Sequence, residues 1–440
     1  MQNLKVVKFG GSSLADANQF KKVADIVLAE KCRRYVVPSA PGKRFKDDTK
    51  VTDMLYDCYE KAGHGSDIDE LFNPIAARYC AIIEGLGLDL SLEDEFDHIK
   101  NAFVHKAGRD YAASRGEYLN GIIMAKYLGF DFIDAADVIF FKDDGSFDGE
   151  RTNAVLGAEL KKHEYAVIPG FYGSMPNDTI KTFSRGGSDI TGSIVARAAE
   201  ADLYENWTDV SGFLMADPRI VNDPRPIDTI TYRELRELSY MGATVLHEDA
   251  IFPVRFAGIP INIRNTNRPA DKGTMIVPTA NDAESDNFII TGIAGRKGFS
   301  VITIEKDMMN SELGFGRRVL GALEANDISF EHLPSGIDTM SVIVASSTIE
   351  GRREKVLSDI CAAVEPESIF IDDGLCLLAV VGRNMRNAVG TLARITKAIA
   401  DAGVSVRTVD QGSSEMNIIF GVMEEHFETA LNAVYNEFMK

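Results

Sequence analysis

The chain opens with a strand, a paired-glycine turn and a helix, and this unit restricts the fold more than any other stretch. Leu4, Val6 and Val7 read as a short buried strand, and Val23, Ile26, Val27 and Leu28 fit one face of a helix. Between them lies Lys8-Phe9-Gly10-Gly11-Ser12-Ser13. Glycines let backbone N–H groups approach an anion closely, and a helix N-terminus adds favourable partial charge. Lys8 precedes the glycines, so this is not a Walker A loop, whose lysine follows them. Two readings stand at this point: a phosphate cradle with Lys8 as its cation, or a tight turn beside a surface lysine.

The pattern recurs. Tyr35-Val36-Val37 is a short apolar strand, followed by the turn-rich Pro38-Ser39-Ala40-Pro41-Gly42 and a helical pattern from Thr52. Alternation of this kind implies a mainly parallel sheet with ligands at the carboxyl ends of its strands. Residues 53–130 are expected to be mostly helical, broken by Gly63, Gly65, Gly85 and Gly87, with a separate apolar helix over 119–128. Strands are expected at 130–133, 138–141, 165–169, 203–207 and 259–264, with a hairpin over 173–183. A second glycine pair, Ser184-Arg185-Gly186-Gly187-Ser188-Asp189, precedes a small-residue helix over 192–201.

At 440 residues the chain is expected to form two or three domains. Hydrophobic content of 45% is globular, and no apolar run is long enough to span a membrane. The N-terminus passes directly into a charged strand, so no signal peptide is expected. Five dispersed cysteines without a CxxC pair suit reduced thiols in the cytoplasm, and no His/Cys cluster suggests a metal. A net charge of −19 argues against nucleic-acid binding. It leaves anionic small substrates open, because screening confines the overall field to roughly 8 Å and local cations can dominate a pocket.

Beyond the polar, acidic stretch near 278–291, read as a linker, lies an ungapped internal repeat at an offset of 76 residues. Met309 matches Met385, Gly314 matches Gly390, Val319 matches Ile395, Leu323 matches Ile399, and Ile328-Ser329-Phe330 matches Val404-Ser405-Val406. Copies this short bury little apolar area alone and should pack together. The expected domains are therefore 1–277, 292–368 and 369–440, the strand near 292–304 being a candidate to pair with the second copy.

Two glycine-plus-cation loops in one α/β domain suit a polyphosphate whose terminal group is transferred between them. Such chemistry needs positioning and charge stabilisation more than covalent work, and Lys8 and Arg185 are natural clamps. Lys8 to Ser13 resembles the opening motif of aspartate kinases of the amino-acid kinase family. Arg185-Gly186-Gly187-Ser188-Asp189 resembles the second motif of that family. Trp207-Thr208-Asp209-Val210-Ser211-Gly212 with Asp217-Pro218-Arg219 resembles its nucleotide loop, and Gln411-Gly412-Ser413-Ser414-Glu415 the end of its C-terminal ACT domain.

The resemblance implies a three-layer αβα sandwich with a mainly parallel sheet, then two ferredoxin-like ACT modules. It implies ATP as co-substrate, with magnesium carried mainly by the phosphates, and L-aspartate as acceptor. Lys8, Gly10, Gly11 and Ser12 would hold phosphates; Thr208, Asp209, Phe213, Asp217 and Arg219 would line the nucleotide. Ser39 and Thr52 would bind aspartate, Glu117 its α-ammonium and Arg185 its α-carboxylate, while Asp189 would position substrate or Lys8. An end-product effector, lysine or else threonine, would bind around Met309, Ser311, Gly314, Phe315, Gly316 and Glu331, and the ACT region would support a homodimer or homotetramer.

Bland alternatives remain for single residues: Asp189 as a helix N-cap, Glu117 as a first-turn acid, Asp209 as a turn former, Met309 and Met385 as repeat core, and His247 as a packed histidine. The chain departs from the family at Thr244, where Gly-Ala-Lys is common and here Gly242-Ala243-Thr244 stands. The competing functions are a kinase for another amino-acid carboxylate and a weakly catalytic amino-acid sensor.

Overall fold

A computed structural model describes residues 3–64, 67–184, 186–243, 246, 248–279 and 288–439, with 248 and 249 by backbone alone. Gly65, Arg185, Thr244, His247 and the greater part of the expected linker, 280–287, lie outside the described residues. The described residues fall into two units. One comprises those of Met1–Phe213, Pro226–Tyr232 and Thr244–Glu284; the other those of Leu214–Arg225, Arg233–Ala243 and Ser285–Lys440. Two segments inside the expected first domain, 214–225 and 233–243, thus group with the C-terminal unit.

The first unit begins β1 (Lys5–Phe9), α1 (Ala17–Leu28), β2 (Arg33–Pro38), α2 (Val51–Ala62), α3 (Ile68–Leu86), α4 (Glu93–Val104) and α5 (Arg109–Leu128). It continues through β3 (Asp131–Phe132), α6 (Ala135–Val138), α7 (Gly149–Leu160), β4 (Ala166–Val167), the hairpin β5 (Tyr172–Ser174) and β6 (Ile180–Thr182), α8 (Gly187–Ala198) and β7 (Leu203–Thr208). Next come β8 (Thr229–Thr231), α9 (Tyr232–Tyr240), α10 (Phe252–Ala257), β9 (Ile261–Asn265) and β10 (Thr274–Val277), α9 passing after Tyr232 into the second unit.

Eight strands form one sheet in the order β3-β4-β2-β1-β7-β9-β10-β8, parallel throughout except between β9 and β10. This is the expected mainly parallel, three-layer arrangement. β1 lies inside the sheet, with Lys8 opposite Val37 on one side and Asn206 on the other. Burial on both faces explains why Val6, Val7 and Phe9 form an apolar run and do not alternate with polar residues.

Several local expectations change. Leu28 is 60% exposed; the buried face of α1 is Phe20, Val23, Ala24, Ile26 and Val27. Gly85 lies within α3, which ends instead at the left-handed Gly87. A side chain at Gly85 would place its Cβ 2.6 Å from that of Ala17, so this glycine serves close packing of α3 on α1. The helix expected over 119–128 begins ten residues earlier, at Arg109, and α8 begins at Gly187 and not at 192. Of the strand expected at 138–141, Val138 ends α6, and Phe140 and Phe141 make only isolated bridges.

The second unit continues with β11 (Gly292–Glu305), α11 (Phe315–Glu324), β12 (Thr339–Ala345), α12 (Ser346–Ile349), α13 (Arg353–Val364), β13 (Ser368–Val381), α14 (Thr391–Asp401), β14 (Thr408–Asp410), β15 (Asn417–Met423) and α15 (Phe427–Met439). Its five strands form one antiparallel sheet, β12-β11-β13-β15-β14. The repeat is visible in it. Gly314 and Gly390 both adopt positive φ, +76° and +83°, immediately before α11 and α14. Val319, Ile395, Leu323 and Ile399 are all buried. Two strands bridge the copies: β11 and β13 are each 14 residues long and pair from Gly292 with Val381 to Glu305 with Ser368. The matched stretches 328–330 and 404–406 are both irregular, and the copies differ just after them, where His332 and Ser335 make isolated bridges in one and β14 forms a regular strand in the other.

α9 is anchored within this unit. The fully buried Glu234 accepts hydrogen bonds from Thr291 Oγ1 (2.5 Å) and the Arg383 backbone N–H (2.9 Å), and Asn417 donates to Glu237 (2.6 Å).

Candidate active site

The glycine turn sits where β1, β2 and β7 end together. Gly10 donates its N–H to the Trp207 carbonyl (3.0 Å), and Ser39 donates to the Phe9 carbonyl (3.1 Å). After Gly10 the chain makes a single 3-10 turn over Gly11–Leu14, and Ser13 shares a 2.7 Å hydroxyl hydrogen bond with Thr266. Thr266 in turn donates its N–H to the Thr208 carbonyl. Phe9 stacks on Trp207 at 6.0 Å, and the guanidinium groups of Arg33 and Arg264 lie over the indole at 5.3 and 4.5 Å.

Lys8 is buried, only 6% exposed, and forms a 2.5 Å ion pair with Asp189 Oδ1. The surface-lysine reading is therefore overturned. Its Nζ lies 3.6 Å from where a Cβ on Gly10 would stand, so the ammonium hangs directly over the glycine turn. Asp189 is the third residue of α8, whose N-cap is Gly186, so the N-cap reading of Asp189 fails as well. Asn206 donates to the same Asp189 oxygen (2.8 Å). Asn206 escaped the sequence reading, although the signal was present: a polar pair, Glu205-Asn206, in a strand otherwise expected to be central and apolar.

The loop after β2 lies back to back with the glycine turn. Gly42 donates to the Gly11 carbonyl (2.8 Å), and a Cβ on Gly42 would fall 2.5 Å from the Gly11 carbonyl carbon. Ser39 is half-buried at the head of this loop, with its carbonyl accepting from Asn120 Nδ2 (2.6 Å). Thr52 is half-buried in the first turn of α2. Glu117 lies in the middle of α5, which removes the first-turn reading, and is 6% exposed. Burial pushes its carboxyl up to about 8, against the opposing effects of a hydrogen bond from the Ala40 backbone and the charges of Lys8 and Arg115. Its Oε2 is buried without a hydrogen-bond partner, an acceptor in need of a donor.

Of the remaining expected residues, Ser12 and Asp209 are exposed, and Thr208 Oγ1 donates to Asp209 (3.2 Å). Phe213 is buried, its ring a core group and its N–H bonded to Thr274 Oγ1 (2.8 Å). Asp217 and Arg219 belong to the second unit and pair with each other at 2.6 Å. Also in that unit, Met309 and Phe315 are core side chains, so they do not face a ligand, whereas Ser311 and Gly314 of the same turn are exposed. Gly314 caps α11, followed by Gly316 in its first turn; Ser311 Oγ donates to Asn310, and the Tyr240 hydroxyl donates to Glu331. All five cysteines are free, and among the described residues no acidic, His and Cys cluster could hold a metal ion.

Residues 3–265 match the amino acid kinase family, and residues 378–438 match an ACT domain. Aspartokinase 3 of Bacillus subtilis is 39% identical over 451 aligned positions, covering 99% of this chain and 98% of its own. The solved aspartate kinase of Clostridium acetobutylicum, described as an allosteric enzyme, is 50% identical with a TM-score of 0.92, covering 99% of this chain and 100% of its own. Aspartokinase III of Escherichia coli, solved with lysine and aspartate, shares the fold at a TM-score of 0.75 and 23% identity, over 100% of both chains. The chain belongs to the amino acid kinase family, in its aspartokinase branch with a C-terminal ACT region.

Proposed function

We propose that this chain transfers the γ-phosphoryl group of ATP to the side-chain carboxylate of L-aspartate, forming 4-phospho-L-aspartate, the entry to lysine, threonine and methionine synthesis. The observation that carries the reading is the buried Lys8–Asp189 pair suspended over the glycine turn. Gly10, Gly11 and Ser12 present the turn that cradles phosphates, and Lys8 follows the migrating group. Asp189 and Asn206 hold Lys8 in place between turns. Magnesium, when bound with the nucleotide, would be carried by its phosphates and would supply charge neutralisation. The acceptor has a pKa of about 3.9 and is ionised at neutral pH, so no general base is needed. The task is to bring two anions together and cancel their repulsion.

On the substrate side, Ser39 and Thr52 offer hydroxyls, Arg185 a bidentate partner for the α-carboxylate, and Glu117 the acceptor for the α-ammonium. The orphaned Oε2 of Glu117 fits that role. Thr208 and Asp209 serve the nucleotide. Regulation is by an end-product amino acid, lysine in preference to threonine, at the backbone of the turn before α11, with Glu331 reading a cationic tail. The protein works in the cytoplasm as a homodimer or homotetramer. A hydroxamate assay with ATP, magnesium and aspartate, alongside glutamate as competitor, tests the reading. Absence of product at millimolar aspartate would refute it. Initial rates unchanged by lysine and threonine would remove the regulatory part.

A further inference from the structure

A buried cation of the first unit, Arg78, lies between the two loops of the site and is unused by the chemistry above. Arg78 lies in the middle of α3 and is 4% exposed. Its guanidinium reaches three acceptors, one at the end of the glycine turn and two in the loop between β2 and α2. Nη2 donates to the Gly42 carbonyl (2.5 Å), Nε to the Ala15 carbonyl (3.3 Å) and Nη1 to Asp48 Oδ2 (2.8 Å). Ala15 closes the glycine turn begun at Gly10, and Gly42 is the residue whose backbone touches Gly11. The guanidinium therefore grips both sides of the contact between the phosphate turn and the substrate loop. Asp48 completes the arrangement. It accepts from the Arg44 side chain (2.8 and 3.0 Å) and backbone (2.9 Å) as well as from Arg78. The Arg44 hydrogen bonds, with those of Arg78, hold its carboxyl far below the usual carboxylate range.

Burying a guanidinium is expensive, and apolar replacements of buried ion pairs often stabilise a fold. Here the charge lies under two loops whose relative placement decides where phosphate and acceptor meet, and its planar fork suits several fixed carbonyls at once. We infer that Arg78 is a positioning residue, holding the glycine turn against the Ser39–Gly42 side of the site so that nucleotide phosphates and acceptor are presented in one register. The inference rests on the phosphoryl-transfer reading of the site.

The test uses the full-length protein and two readouts. Trp207 is the single tryptophan and stacks on Phe9, so its fluorescence reports MgATP binding at the neighbouring turn. Hydroxamate formation reports turnover. A lysine at position 78 keeps a charge for Asp48 but cannot span both carbonyls. Arg78→Lys should weaken MgATP binding or lower kcat by about 10- to 100-fold, the scale set by roughly 1 Å misplacement, while the aspartate KM moves by less than about threefold. Guanidinium ion should restore a good part of the loss in Arg78→Ala. Asp48→Asn, which keeps Arg78 and its two carbonyl contacts, should stay within about threefold of the wild type. Three results overturn the inference: wild-type binding and kcat in Arg78→Lys, a loss in Arg78→Ala that guanidinium does not relieve, or an Asp48→Asn loss equal to that of Arg78→Lys. Wild-type protein that binds MgATP but makes no product from aspartate would instead fault the substrate assignment and leave the binding arm to decide on Arg78.

Discussion

Lys8 and Glu117 are both buried titratable groups at the site, and their environments differ. Lys8 has a fixed counter-ion in Asp189, itself held by Asn206. Removing Lys8 leaves that carboxylate without its cation and, in the proposed transfer, the migrating phosphoryl without a partner. Lys8→Ala should lose at least ~10²-fold in kcat, comparable to losing one oxyanion donor, measured by hydroxamate formation. Glu117 has no such partner, and burial pushes its carboxyl from 4.5 to about 8. A raised carboxyl binds a proton in the folded chain that the unfolded chain has already lost. Stability therefore falls as pH rises from about 4.5 toward about 8. Glu117→Gln removes this penalty: calorimetry should find it melting above the wild type at pH 8 and level with it near pH 4.5. The same ionisation is needed to receive an ammonium, so the wild-type aspartate KM should fall as pH rises toward 8, and this dependence should vanish in Glu117→Gln.

Among the elements, the packed ends of β1, β2 and β7 place the loops. Their register is held from the other end by Glu205 on β7, fully buried, which accepts from Arg33 on β2 (2.8 Å) and Trp207 Nε1 (2.9 Å) and pairs with Lys5 on β1 (3.1 Å). Burial alone would raise the Glu205 carboxyl, but Arg33 and Lys5 outweigh it and hold it low. Its contribution is thus present above the ordinary carboxylate range and lost as pH falls through the depressed value. Glu205→Gln should destabilise the neutral protein by about 3–5 kcal/mol in urea unfolding, the scale for removing one partner of a buried pair, with the gap closing in acid. At the loop contact, Gly42→Ala would set a Cβ 2.5 Å from the Gly11 carbonyl carbon. Neither backbone can yield without moving the phosphate turn, so activity should fall further than the melting temperature.

The whole molecule is built from two units that exchange chain several times. Residues 214–225 and 233–243 belong with the C-terminal unit although they fall early in the chain. Within that unit Glu234 depends on Thr291 and Arg383, and Asn432 donates to the Ile220 carbonyl (3.2 Å). A chain ended at residue 277 loses these hydrogen bonds to Glu234 and to the Ile220 carbonyl. Such a chain should not give a soluble, cooperatively folding kinase domain, as judged by gel filtration and thermal unfolding. A truncated protein that melts cooperatively would contradict this.

Local chemistry carried far in the sequence. The glycine turn, the strand–turn–helix alternation and the 76-residue repeat all rest on residues close together or at a constant offset, and such patterns can be read without coordinates. What remained hidden depends on partners distant in sequence. Arg78 reads as one more helix residue until α3 brings it to carbonyls 36 and 63 residues away. Asn206 meets Asp189 across 17 residues, and Leu28 satisfies a helical period yet is mostly exposed at the last residue of α1. The sequence by itself determined the strand–turn–helix alternation, the 76-residue repeat and which family the chain joins, since these follow from glycine chemistry, periodicity and repetition. Only the tertiary structure decided that Lys8 is buried against Asp189, that Glu117 is an unsatisfied acid held near neutrality, and that β11 and β13 join the two repeats in one sheet. Burial and pairing are properties of the assembled environment, and no single stretch of chain contains it.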